Sequence, residues 1–473
     1  MTSPRRVAVL GGGACGLTAA HALASRGADV TVLEREPRPG GLCGTVERAG
    51  FRFDFGGHRF ISRSRALEDL VRELVGDELL VRTRSSAVLH RGRRFRYPLE
   101  LDDVVRTAGL RRGAGAVLSY AGERVRQRLN PSGDVSFEDW VVHRFGRSLY
   151  DAFFGPYTEK LWGLAPTEIS ADWASQRISL LSLSDVMLRL VGARRSPTRS
   201  YARRYLYPRL GIGQIFERMT QAIARAGGRV QLGARVSGLD VARGRVRAVR
   251  FSDERGDHEL ACDAAIATLA LPDLARFVGV RGEAARASSR LRFRAIRLHN
   301  LLLDGPEVSP HTWMYVSEPR YLMSRIQEPR HRSPDMAPPG ATSLMLEIPC
   351  DRGDAVWSAP EDELHQRCLA DLRALGFDVA SRVRGRFSTF VEEGYPIYHL
   401  DYRRDRARAL GAVGEVENLI ACGRQGAFRY VFMDTAMEMG LEAARAALGE
   451  RRTAGVADLN AEGGLIEARA LTA

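Results

Sequence analysis

The segment VAVLGGGACG at 7–16 constrains this chain more than any other stretch. A short apolar run breaks at Gly11-x-Gly13-x-x-Gly16 and resumes as a helical pattern through His21. In a strand–turn–helix unit Gly11 makes the tight turn, Gly13 admits a pyrophosphate to the backbone, and Gly16 lets the helix close on the sheet. Ala14 and Cys15 then stand at the helix start, beside the phosphates. A second apolar run, DVTVLE, ends at Glu34 about 20 residues further on, where an acid can take a ribose hydroxyl. The pattern predicts a Rossmann-like α/β unit with a dinucleotide site.

At 473 residues, 45% hydrophobic and 27% charged, the chain has the length for two or three domains and the composition of a folded globular protein. No apolar run reaches the roughly 20 residues that a bilayer span requires. Arg5-Arg6 precedes too short an apolar stretch for an export signal, so the expectation is a cytoplasmic protein. Cys15, Cys43, Cys262, Cys350, Cys368 and Cys422 are scattered without metal spacing, which predicts reduced, mostly buried thiols and no metal site. The formal charge of +13 comes from dispersed residues without a recognition motif, and predicts no nucleic-acid partner. Among 70 Lys+Arg residues only Lys160 is lysine, a coding bias towards arginine. Two basic clusters stand out, RGRRFRYP at 91–98 and ARRSPTRSYARRYLYPR at 193–209. They read as solvated surface, or as a rim steering a phosphorylated substrate or an anionic membrane surface.

Residues 1–65 form the nucleotide-binding unit, which residues 206–280 and 391–450 complete. Residues 66–205 lack strand alternation and read as a largely separate helical region, from ALEDLVRELVG to ISLLSLSDVMLRLVG. Residues 281–390, with IRLHNLLL and ATSLMLEIP, predict a sheet-containing substrate domain. The tail from 451 to 473 reads as disordered.

With these residues in place, the chain resembles the FAD superfamily of amine oxidases, protoporphyrinogen oxidases and UDP-galactopyranose mutases over nearly its whole length. Glu34-Arg35 with Gly40-Gly41 resembles that superfamily's second FAD motif, and RVQLGARVSGLDV resembles the strand whose valine, here Val236, holds adenine through its backbone. Three segments are similar to the mutases in particular: FDFGGHRF at 53–60, PYTEKLWG at 156–163 and ACGRQGAFRYVFMD at 421–434. The resemblance implies FAD as cofactor, with Gly57 and His58 bordering the flavin and Gly423, Arg424, Phe428 and Met433 near its ring. YLMSRIQEPRH and ADWASQRI are similar to segments placing Arg325 and Arg177 in the substrate cleft. The pattern departs from the mutases at Phe428 and Phe432, where they carry a tyrosine and an aspartate, while Tyr430 is retained.

The implied chemistry is oxidation by hydride transfer to flavin N5, or redox-neutral rearrangement of a sugar. A small, sugar-like substrate carrying phosphate or a nucleotide would find bidentate donors in Arg177 and Arg325. Tyr157 and Trp162 offer stacking faces, with Tyr398 and Tyr430 further substrate-side candidates. Lys160 is a candidate for contact with substrate oxygen or for an ion pair with Glu159. His58 either exchanges protons beside the flavin or only shapes the ring pocket. Glu328 is a weaker substrate-side candidate, with a structural role as the competing reading. Peripheral membrane contact and a homodimer remain open.

Overall fold

Repeated returns of the chain to one parallel sheet set this architecture. The computed structural model describes residues 5–96, 110–177 and 204–460. Arg6–Leu10 (β1) and Asp29–Glu34 (β2) pair in parallel. Ala264–Ala267 and Leu419–Ala421 extend the sheet beyond β1, and Arg229–Leu232 extends it beyond β2. The strands are almost continuously apolar because both faces are covered. On one face lies the helix Ala14–Ala24 (α1), flanked by Gln214–Arg225 and Met433–Ala447. A side chain at Gly440 would meet the carbonyl of Cys15 at 2.3 Å, so the last helix lies backbone to backbone on α1. The other face carries an antiparallel sheet of Arg235–Ala242, Arg245–Asp253 and Gly256–Ala261.

A second, seven-stranded sheet runs Val383–Pro396, Phe293–Asp304, Ala341–Cys350, Arg325–Gln327, Trp313–Val316, Ser86–His90, Arg93–Arg96. All its neighbours are antiparallel except Trp313–Val316 with Ser86–His90. Its core packs against the helix Glu361–Ala374 through Leu364, Cys368 and Leu372.

Residues 66–205 are not the separate helical region expected. Leu79–Thr83, Ser86–His90 and Arg93–Arg96 are strands, and the last two belong to the seven-stranded sheet. The run SAVLH is too short for a helix, and Arg91 and Gly92, both at positive φ, close it into a hairpin. The strand Val383–Pro396 also runs unbroken across the boundary expected at 390. The tail is ordered further than expected: Val456 is buried, and Arg429 Nη1 donates to the carbonyls of Ala457 and Leu459 at 2.9 and 3.0 Å. The helical reading of 178–192, most of the 193–209 cluster and the residues beyond 460 lie outside the described residues. No described helix is long and apolar enough to cross a membrane.

Candidate functional site

A cleft of about 620 Å³ runs from the first turn of α1 to the seven-stranded sheet. Its floor is glycine. Gly11 holds φ +106°, and a Cβ there would lie 2.3 Å from the Thr268 hydroxyl. At Gly16 a Cβ would lie 2.0 Å from the carbonyl of Gly11, so helix and turn touch directly. The second glycine loop locks onto the first, the amide of Gly40 donating to the carbonyl of Gly12 at 2.8 Å. Gly41, at φ +54°, would bring a Cβ to 3.2 Å from Gly13 Cα. No side chain therefore stands between this backbone and the cleft, and α1 begins there without a side-chain cap. An uncapped helix start with bare amides suits a phosphate group.

Glu34 closes β2 at the cleft edge. Its Oε2 accepts from the amide of Gly12 at 2.6 Å and its Oε1 from the amide of Glu36 at 2.8 Å, while burial raises its pKa. The carboxylate thus braces the glycine turn and retains lone pairs for a hydroxyl. Arg35, Val236, Ala14, Cys15, Gly423 and Met433 line the same cleft. Cys15 Sγ lies 3.5 Å from Cys422 Sγ; both are free thiols, and this contact and burial hold Cys15 in its thiol form.

The far end is built where FDFGGHRF meets the seven-stranded sheet. A Cβ at Gly57 would lie 3.2 Å from Arg325 Nη1, and one at Gly56 would lie 3.6 Å from Glu347 Oε1. Arg325 and Glu347 face each other in register, Nη1 to Oε2 at 3.1 Å. Gln327 donates to Glu347 and accepts from Arg332. The Arg325 guanidinium lies 5.2 Å from the Tyr315 ring centroid, and Tyr315, Trp313, Tyr395, Tyr430 and Arg59 complete this end. Arg424 stacks 4.6 Å from the Tyr430 ring centroid and donates to the carbonyls of Val431 and Gly394 at 2.7 and 3.2 Å.

His58 is half-buried here, with its Nδ1 enclosed and without a hydrogen-bond partner. Burial first, then Arg424, Arg332 and Arg325, push its pKa down to about 3, so the ring stays neutral near pH 7. It has no proton to give as an imidazolium. The ring lines the cleft, with its Nδ1 enclosed by protein rather than open to it.

Several expected site residues stand elsewhere. Phe428 sits at φ +45°, which turns its ring into the core, 5.0 Å from Phe293, rather than towards the cleft. Trp162 is buried behind Tyr395 and packs on Trp173 at 4.5 Å. The Tyr398 hydroxyl accepts from the Tyr430 amide at 2.8 Å, and its ring stacks on Tyr402 at 4.1 Å. Tyr157 stands behind Tyr315, with ring centroids 6.2 Å apart. Lys160 is not among the residues lining the cleft; it donates to the carbonyls of Val316, Glu318 and Met323. Glu328 is buried and accepts from the amides of Val308 and Ser309 and the hydroxyl of Thr342. Arg177 ends the helix Ala171–Arg177, and its side chain lies outside those described.

Glu347, Gln327, Tyr315 and Trp313 were missed. Glu347 had a signal, as the one acid in the apolar strand ATSLMLEIP. Gln327 shares a face with Arg325 by the two-residue period of a strand, whereas Glu328 points away.

Three comparisons bear on this cleft. The family model described as flavin containing amine oxidoreductase matches residues 14–448. Phytoene dehydrogenase of Streptomyces griseus is 26% identical over 378 residues, covering 73% of this chain and 72% of that protein. Among solved structures, reduced UDP-galactopyranose mutase superposes with a TM-score of 0.84 at 21% identity, over 98% of this chain and 99% of that one. Putrescine oxidase bound to putrescine gives 0.62 at 18% identity, over 95% and 99%. These two likenesses speak for the fold; with the family match, they place the chain in the flavin-containing amine oxidoreductase family, with FAD as its cofactor.

Proposed function

We propose that the chain is an FAD-dependent oxidoreductase whose substrate is small, oxygen-rich and anionic, a sugar-like molecule linked to phosphate or a nucleotide. The observation that carries this reading is the charged end of the cleft, where Arg325, Glu347 and Tyr315 line the wall and Gln327 backs it, a polar surface that an oxygen-rich anionic substrate matches better than an apolar one. A carotenoid, porphyrinogen or simple amine uses such a wall poorly.

The residues fit the cofactor. The bare turn at Gly11, Gly13, Gly40 and Gly41 and the start of α1 hold the pyrophosphate. Glu34 and the backbone at Val236 take the adenosine end, and Gly57, His58 and Arg424 border the ring. Bound FAD supplies a hydride acceptor at N5. Arg325 orients the substrate's anionic group, Tyr315 and Tyr395 cover it, and neutral His58 lines the cleft without adding charge.

A second reading, redox-neutral rearrangement of a nucleotide sugar, draws on the superposition with the mutase along nearly the whole chain. Anaerobic mixing of the purified yellow protein with nucleotide sugars separates the two. Bleaching of the flavin by substrate alone supports oxidation. Turnover only after prior reduction, with a product isomeric to the substrate, supports rearrangement. A protein that binds no FAD sinks both.

A further inference from the structure

Lys160 is the sole lysine among 70 Lys+Arg residues. It stands on the helix Gly155–Trp162 and reaches into the turn that joins Trp313–Val316 to Arg325–Gln327. Its Nζ donates to Val316, Glu318 and Met323 at 3.1, 3.0 and 2.6 Å, all backbone carbonyls of that turn. Three acceptors around one nitrogen match the three donors of an ammonium. A planar guanidinium spreads its donors over three nitrogens and cannot reproduce this. The geometry accounts for a lysine in a chain that otherwise uses arginine.

The clamped carbonyls bracket the substrate wall. Val316 follows Tyr315, Met323 precedes Arg325 by two residues, and Tyr315 pairs with Arg325 across the hairpin. We propose that Lys160 is a positioning residue for the substrate wall: its ammonium gathers this turn and so fixes where Tyr315 and Arg325 stand on the cleft. This rests on the reading that the wall binds substrate.

The clamp is sensitive to protonation. Burial brings the Lys160 ammonium down to about 7, opposed by Asp371 on the helix Glu361–Ala374 and by Glu318 in the turn. Asp371 also accepts from the amide of Leu322 at 2.7 Å, and Glu318 pairs with Arg320 at 2.9 Å and accepts from the amide of Arg91 at 2.7 Å. Glu159 precedes Lys160 on its own helix. A neutral amine has two donors and a lone pair, so one carbonyl of the three loses its partner as pH rises.

The test uses the FAD-loaded protein and hydrogen–deuterium exchange in the segment 314–326, corrected for intrinsic rate, from about pH 6 to about pH 9. In the wild type, exchange of this segment rises as pH passes through about 7. In Lys160→Met it is fast at every pH, with FAD content unchanged, and Lys160→Arg behaves like Lys160→Met. A flat wild-type profile, wild-type exchange in Lys160→Met, or full rescue by arginine overturns the proposal. With UDP as probe, Lys160→Met weakens binding, read by the flavin difference spectrum, by about tenfold or more. If UDP fails to bind the wild type, the substrate reading falls, and the exchange profile still decides the role of Lys160.

Discussion

The guanidinium of Arg325 and the carboxylate of Glu347 face each other across adjacent strands, 3.1 Å apart, directly under the Gly56-Gly57 loop. Both side chains are largely buried, so each charge relies chiefly on the other. Glu347 also keeps Arg325 charged, well above its ordinary range, against the cost of burial. The pair sets the polarity of the cleft's far end.

Removing one partner leaves a buried charge unmatched. Glu347→Ala is expected to lower stability by about 3 kcal/mol, and the double variant Glu347→Ala/Arg325→Met to recover most of it. Thermal unfolding of the wild type, Glu347→Ala, Arg325→Met and the double variant measures the coupling. A loss in the double variant equal to the sum of the two single losses would show that the pair contributes nothing.

Gly16 has no room to change. An added methyl would meet the Gly11 carbonyl at 2.0 Å and push α1 off the turn. Gly16→Ala is expected to purify with a much lower ratio of flavin to protein absorbance than the wild type. A full complement of FAD in this variant would contradict the backbone-to-backbone packing.

Local patterns made the nucleotide unit legible: β1, α1 and β2 are where period, glycine spacing and the acid at Glu34 place them. The cleft's other wall was not, because it depends on register. Nothing near position 347 says that its partner is residue 325; only the pairing of Arg325–Gln327 with Ala341–Cys350 does. Phe428 misled for a related reason, since its positive φ redirects a side chain that sequence alignment alone would aim at the ring. Lys160 was noticed by its rarity, but its carbonyl partners lie more than 150 residues away in sequence.

Four titratable groups act with one sign on acid stability. His58 and His365 fall from 6.5 to about 3 and about 4, so below pH 6.5 the unfolded chain binds protons that the folded one does not. Glu361 and Asp405 are held down to about 2, and their contribution is lost as pH falls below the ordinary carboxylate range. These four groups pull the urea midpoint down from about pH 7 to about pH 4, opposed by the raised carboxyls of Glu34, Asp54, Asp371 and Glu393. His365→Gln should flatten the upper part of that decline. An unchanged slope in this variant would mean that His365 titrates normally in the fold.

Asp54 ties the strand leading into the Gly56-Gly57 loop to the turn before the helix Gln214–Arg225. Its carboxylate accepts from the Tyr207 hydroxyl at 2.6 Å, the Thr45 hydroxyl at 2.7 Å and the Ile212 amide at 3.1 Å. Burial raises the Asp54 pKa, and these three donors together with Arg332 hold it down. Tyr207→Phe keeps the ring in the core and removes one donor from a buried carboxylate, at an expected cost of about 1–3 kcal/mol. Because Phe51–Asp54 runs straight into the glycine loop, the same variant should also shift the flavin absorbance band, which Thr220→Ala on the helix Gln214–Arg225 should leave alone. A lower unfolding temperature without a spectral shift would confine Asp54 to stability and detach it from the cleft.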